Sequence, residues 1–259
     1  NNILTSISVG NFLRNKKIKH FINYGEFSPG FRPMYHFVKA ANQNIKIVTI
    51  QHGNASSNLI FNYNHKSEFS TLANDKGKYY SPSPDIYLTH GKQFNKNLNL
   101  YFKNSKIIGP LKYDFHLITK KEKKRKKSKK NTKNILICPS IGDHQFILNF
   151  LRLSVNFKHN YILSPHPVFT KISNKYLNLL KDKCEIKYYK NKTTYDLLKN
   201  ADLVICGFST IAHEAAFLGI PSVRILDLEN PYSHDLQDKI KMVHMPEQLE
   251  KILKKDDFQ

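Results

Sequence analysis

Apolar positions along this chain fall into two alternating rhythms: short unbroken runs, and longer stretches in which they recur at helical spacing. The first suits strands buried on both faces of a parallel sheet, and the second suits amphipathic helices packed on such a sheet. The clearest case is Asp202 to Arg224. Leu203 to Cys206 is an apolar run without alternation. Gly207 allows a sharp turn, Ser209 or Thr210 can cap a helix, and Ile211, Ala212, Ala215, Ala216 and Leu218 supply its apolar face. Gly219 stops that helix, Pro221 opens the next segment, and Ser222 to Leu226 read as a second buried strand.

The same alternation extends through the chain and predicts an α/β fold. An opening helix within residues 1 to 17 is followed by a strand at Lys19 to Tyr24 and a turn-rich loop at Gly25 to Gly30. A helix from Arg32 to Asn42, with Met34, Phe37, Val38 and Ala41 inward, leads to a strand at Ile45 to Ile50. Asn54 to Pro84 is polar and lacks periodicity, as an acceptor-side loop would. Strands at Asp85 to Thr89 and Lys106 to Ile108 flank a helix from His90 to Phe102. A second set starts with a strand at Asn134 to Cys138, a turn over Pro139 to Asp143 and a helix from Gln145 to Val155 with Phe146, Ile147, Phe150 and Leu153 inward. Tyr161 to Leu163, a helix from Phe169 to Asp182, Glu185 to Tyr188 and a helix from Thr194 to Asn200 complete the approach to Leu203. Asp227 to His234 reads as a loop and Leu249 to Leu253 as a last helix.

Charge divides this pattern in two. The formal net charge is +21, and Lys120 to Lys130 alone holds eight lysines and one arginine against one glutamate. Such a run self-repels and behaves as a linker, so the expected layout is residues 1–115, a basic linker over 116–133 and residues 134–259. The linker can also meet an anionic membrane surface. No nucleic-acid motif accompanies the charge, so no nucleic-acid partner is expected. The chain opens on Asn-Asn, and its first part has about four strands, so it is expected to begin within its first domain. Three cysteines at unrelated spacings point to a reducing compartment, and no run reaches the roughly twenty apolar residues of a membrane span. A cytoplasmic protein, peripheral at most to the inner membrane face, is expected.

Candidate chemistry sits where strands end. Unpaired N–H groups at the helix start after Cys206 suit a phosphorylated ligand, and Glu214 lies about one turn beyond Thr210. Gln51-His52-Gly53 follows another strand directly. His166 stands between Pro165 and Pro167, each of which stiffens the backbone, so its ring is suited to holding one position against a phosphate oxygen. No Asp-x-Asp and no cluster at metal-ligand spacing is present, so neither a metal nor a cofactor is expected.

The stretch Gly207-Phe-Ser-Thr-Ile-Ala-His-Glu-Ala-Ala-Phe-Leu-Gly-Ile-Pro221 resembles the donor-site motif of GT-B glycosyltransferases, including capsule and surface-polysaccharide enzymes and their teichoic-acid polymerase relatives. Gln51-His52-Gly53 is similar to an element of the same enzymes, and so are Pro84 to Phe94 and Ile107 to Asp114. Ser164-Pro165-His166-Pro167 is similar to the His-Pro motif of bacterial sialyltransferases and Kdo transferases. The resemblance implies two Rossmann-like domains facing a cleft, the first incomplete. It implies that Ser209 and Thr210 meet the donor phosphates, that Glu214 binds a ribose and that His166, with Pro167, contacts the phosphate of a CMP-sugar. Ser140, in the first turn of the second domain, joins that donor set.

Sugar transfer needs an activated acceptor hydroxyl and a stabilised leaving phosphate. Glu26 or His52 can take the acceptor proton, although Gly25-Glu26-Phe27 departs from the paired-acid-glycine motif of the sialyltransferases. The helix start at Ser209 and His166 would meet the leaving charge. The His-Pro dipeptide favours a CMP-linked sugar acid, whereas the Ser-Thr to Glu element also occurs with UDP-sugars and in CDP-glycerol polymerases. A CDP-glycerol-type transferase, a UDP-sugar epimerase and a non-catalytic polysaccharide- or nucleotide-binding module stay open as alternatives.

Overall fold

A computed structural model describes residues 2–24, 31–51, 84–92, 104–109, 132–140, 142–155, 158–166, 174, 178–180, 182, 184–227 and 240–255. The chain divides into two compact units, Asn1–Phe115 and His116–Gln259. The expected helices over 90–102 and 169–182, the polar loop after Asn54 and the basic run lie largely or wholly outside the described residues.

In the first unit, β1 (His20–Tyr24), β2 (Lys46–Ile50), β3 (Ile86–Thr89) and β4 (Ser105–Ile107) form a parallel sheet in that order. Helices α1 (Asn2–Arg14) and α2 (Phe31–Ala41) pack together, and Leu13, Tyr35, Val38, Ile45, Ile47 and Tyr87 make the core. Tyr35 belongs to this core although its hydroxyl kept it off the predicted apolar face. The hydroxyl is satisfied inside. Thr49 donates to Asn23 Oδ1 at 2.6 Å and Asn23 Nδ2 donates to Tyr35 at 3.0 Å. Thr49 has one proton, so the 2.8 Å contact between the two hydroxyls is Tyr35 donating to Thr49. The three buried groups close a ring in which each donates once and accepts once, and burial pushes the Tyr35 hydroxyl above its ordinary pKa. At the opposite edge, Asp85 accepts Ile47 N–H at 2.7 Å and pairs with Lys39 at 2.6 Å, pinning β3 to β2.

The second unit has six parallel strands: β5 (Asn134–Cys138), β6 (Asn160–Leu163), β7 (Ile186–Tyr188), β8 (Leu203–Cys206), β9 (Ser222–Ile225) and β10 (Lys241–Val243). They lie in the order β10-β9-β8-β5-β6-β7. The run Lys241-Met-Val243 is too short to signal a strand, and β10 was not anticipated. Helices α3 (His144–Ser154) and α6 (Pro246–Lys255) cover one face, over Ile135, Ile137, Leu163, Ile205 and Val223. Helices α4 (Thr194–Leu198) and α5 (Ile211–Phe217) cover the other, over Leu136, Cys138, Ile162, Val204 and Cys206. Strands sandwiched in this way need apolar side chains on both faces, which is why their runs show no alternation.

Two helix faces differ from expectation. In α3 the buried set is Ile147, Leu148, Phe150, Leu151 and Ser154, while Leu153 is 73% exposed. A helix carrying apolar residues at 147, 148, 150, 151 and 153 has more than one face can hold, and the 3.6-residue period leaves Leu153 outside. In α5, Ile211, Ala212 and Ala215 are buried and Ala216 is exposed. Gly219 does end α5, with φ of 71°. Ile220 N–H reaches Ala215 O at 2.8 Å and Gly219 N–H reaches Ala216 O at 3.0 Å, a Schellman closure that only a residue at ease in the left-handed region makes cheaply.

Candidate functional site

The order of the second sheet reverses between β5 and β8. From β5 the chain steps outward through β6 and β7, then returns to β8 on the other side of β5 and steps away through β9 and β10. Loops leaving the carboxyl ends of two such strands part in opposite directions and open a crevice, the usual ligand position in an open α/β sheet. Cys138 and Cys206 are in register, as are Ile137 and Leu163, so the loops after β5, β6 and β8 all leave from one edge. Ser140, His166, Ser209, Thr210 and Glu214 therefore belong to this edge. Glu26, His52 and Pro167 lie outside the described residues.

Asp143 links the two loops that flank the reversal. It occupies the N-cap position of α3 but makes no cap bond to its own helix. Its Oδ1 accepts Ser140 N–H at 2.7 Å, and its Oδ2 accepts the Ser140 hydroxyl at 2.7 Å and Phe208 N–H at 2.8 Å. The proton of Ser140, an expected donor ligand, is thus committed to Asp143, leaving its oxygen to accept. This contact also explains Gly207, whose φ is not among the positive ones. A Cβ there would lie 2.1 Å from Asp143 Oδ2, so glycine is required by the approach of the carboxylate and not by the turn.

Beneath the same loop lies Arg224, fully buried on β9 and in register with Cys206. Its Nη1 donates to Gly207 O and, at 3.0 Å, to Ser209 O, and its Nη2 stands 3.4 Å from His213 Nε2. In a trans peptide the carbonyl and the next N–H point in opposite directions. Carbonyls drawn down to Arg224 therefore turn the N–H groups of Phe208 and Thr210 away from it. Asp143 accepts the first of these.

The helix start decides between the two expected caps. Thr210 is the N-cap of α5 but its hydroxyl makes no cap bond; Ser209 Oγ instead accepts Ile211 N–H at 3.3 Å. Glu214, half-buried on α5, lies near β5: burial pushes the Cys138 thiol well up, and the charges of Cys206 and then Glu214 add to the effect. His166 is exposed beyond β6, where Ser164 N–H bonds to Ile137 O at 2.8 Å and Ser164 Oγ lies 2.7 Å from Thr194 Oγ1.

Sequence reasoning missed Asp143, which read as a turn residue, and Arg224, which read as part of a strand. A charged residue inside Val223-Arg-Ile-Leu226 was the available signal, since a buried guanidinium requires acceptors. Among the described residues, no group of three or more His, Cys, Asp or Glu could hold a metal ion, and no helix is long and apolar enough to cross a membrane.

No family model matches the sequence. An uncharacterised protein of Methanocaldococcus jannaschii is 31% identical over 167 residues, 61% of this chain and 34% of that protein, so the chain spans about a third of this curated relative. Among solved structures, a candidate UDP-N-acetylglucosamine 2-epimerase of Listeria monocytogenes superposes with a TM-score of 0.65 at 15% identity, over 98% of this chain and 70% of that one. The calicheamicin glycosyltransferase CalG4 gives 0.53 at 11% identity, over 98% and 68%. The wall teichoic acid polymerase TagF, solved with CDP-glycerol, gives 0.52 at 13% identity, over 91% and 62%. At these identities the likeness is one of fold: the chain has the α/β architecture of GT-B proteins, with two Rossmann-like domains.

Proposed function

We propose that this chain is a GT-B glycosyltransferase that moves a sugar from a nucleotide-linked donor to a surface-polysaccharide or lipid-linked glycan acceptor, with no metal or other cofactor. The observation that carries this reading is the strand-order reversal between β5 and β8, with the Ser209-Thr210 loop held on it by Asp143 and Arg224. Ser209, Thr210 and Ser140 would meet the donor phosphates, Glu214 the ribose, and His166, stiffened by Pro167, the leaving phosphate. Glu26 or His52 would take the acceptor proton. Lys120 to Lys130 would hold the enzyme at an anionic membrane face. The His-Pro resemblance favours a CMP-linked sugar acid. UDP- and CDP-linked donors are the rivals, and the names of the structural neighbours speak for those.

The test is the melting temperature with CMP, CDP and UDP in turn, for the parent, His166→Ala and Ser209→Ala. A ligand at 100 times its Kd adds about 2.7 kcal/mol to the native state. One nucleotide should stabilise the parent and neither variant, and that nucleotide names the donor base. If none stabilises the folded parent, the donor-site reading fails.

A second reading, UDP-sugar epimerisation, is favoured by the 0.65 superposition on the Listeria protein. It predicts that UDP-N-acetylglucosamine alone is converted to its 2-epimer, visible by proton NMR without any acceptor.

A further inference from the structure

A cavity of about 280 Å³ that the donor reading does not use runs along the α4 face of the second sheet, from the amino ends of β5 and β6 to the loop that follows β7. Asn134 and Asn160 open β5 and β6, and Asn200 precedes β8, so three amides gather at the edge opposite the strand-end loops. Lys187, Tyr189 and Lys192 complete the polar wall, over an apolar floor of Ile162 and Leu197. None of the described residues lining the cavity is acidic. Asp202 also reaches this edge, where its carboxylate accepts Asn134 N–H at 2.9 Å, and the exposed Glu185 stands 3.7 Å from Lys187.

The side chains of Asn160 and Asn134 are linked, and Asn134 is tied to the main chain of Asn200. Asn160 Nδ2 donates to Asn134 Oδ1 at 3.2 Å, and Asn134 Nδ2 donates to Asn200 O at 3.1 Å. Each of these amide groups has two protons and spends one in the relay, so each retains a fixed N–H for a ligand. Lys192 lies over the Tyr189 ring at 4.5 Å, which holds an ammonium group at the rim. Fixed amide donors, an aromatic wall and ammonium groups around a small cavity match a sugar bearing both hydroxyls and a negative charge. A purely apolar ligand would leave these donors unpaired.

We propose that this cavity, lined by none of the donor-site residues, is a second ligand site on the unit, and that it binds an acidic saccharide through Asn134, Asn160, Asn200, Lys187 and Lys192. A glycan of carboxylated sugars and a free sugar phosphate share the required chemistry. The proposal does not depend on the donor-site reading.

Isothermal titration of the full chain at physiological salt tests it, with trigalacturonate, glucose 6-phosphate and the neutral maltotriose as probes. At least one acidic probe should bind the parent, and maltotriose should bind at least tenfold more weakly. Which acidic probe binds more tightly distinguishes the glycan from the phosphate source. The Lys187→Gln/Lys192→Gln variant, which removes the charges, and Asn160→Leu, which keeps them and removes an amide donor, should each weaken binding at least tenfold with an unchanged circular-dichroism melt. The proposal is overturned if neither acidic probe binds the folded parent. It is equally overturned if Asn160→Leu binds as the parent does, because attraction would then come from diffuse positive charge.

Discussion

The two sheets solve the same problem at their carboxyl edges by opposite means. In the first unit, Asn23, Tyr35 and Thr49 form a closed neutral ring that satisfies its own donors and acceptors. In the second, a buried guanidinium draws two loop carbonyls inward, and a buried carboxylate ties that loop to the one after β5. A closed ring stabilises without orienting anything outside itself. The charged brace leaves the backbone of the Ser209 loop with a set direction, which a site for an anion requires. Strand order agrees with this division: β1 to β4 follow one another without reversal, whereas the second sheet reverses beside the brace.

The sharpest way to break the comparison is Arg224→Met. It leaves the carbonyls of Gly207 and Ser209 buried without their donor, at about 1–3 kcal/mol each. Chemical denaturation should show a loss of about 4 kcal/mol, and any nucleotide-induced shift in melting temperature should vanish. Gly207→Ala comes next. Its Cβ would displace the Asp143 carboxylate, and overpacking of this kind costs about 1–3 kcal/mol. Asp143→Ala, destabilising alone, should recover part of that loss in the double variant, and a double-mutant cycle reads the coupling.

Tyr35→Phe tests the neutral side. Opening the ring deprives Thr49 of a donor and Asn23 of an acceptor, for an expected loss of about 2 kcal/mol, with nucleotide binding unchanged. The smallest effect is at α4, where Thr193 and Asp196 form a capping box. Thr193→Ala should cost about 1 kcal/mol. The side-chain and then the backbone hydrogen bonds from Thr193 hold the exposed Asp196 carboxyl below its ordinary pKa. Its contribution is therefore present above the unfolded-state value and lost as pH falls through the folded-state value. A melt of Asp196→Asn against the parent should show a difference at neutral pH that closes in acid.

How much of this was legible in the sequence follows from where the information lies. Leu203 to Cys206 and Asn134 to Cys138 announce themselves, because a strand buried on both faces needs an unbroken apolar run. Gly219 also reads directly, since a helix stop is a local matter of one φ angle. Leu153 misled because an excess of apolar residues leaves the helix phase undetermined until a sheet selects it. Arg224, Asp143 and Gly207 were opaque for a different reason: each is explained by a residue on another element, 17 to 65 positions away. Ser209, Thr210, His166 and Ser140 could be placed on one edge from their strand ends. Which hydroxyl caps α5, and that the Ser140 hydroxyl donates its hydrogen bond to Asp143, depends on side-chain geometry that spacing does not encode.

The reach of Arg224 also bears on the order of assembly. The loop it organises leaves β8, but the guanidinium arrives only with β9, and Asp143 must come from the far side of the reversal. No local segment can shape this loop in advance. Contacts that span long stretches of chain form only after the intervening loop has closed, so the crevice should be among the last features to mature during folding. On the proposed donor-site reading, a nascent or partly folded chain would then have little hold on a nucleotide, and capture of the ligand would report that the second unit is complete.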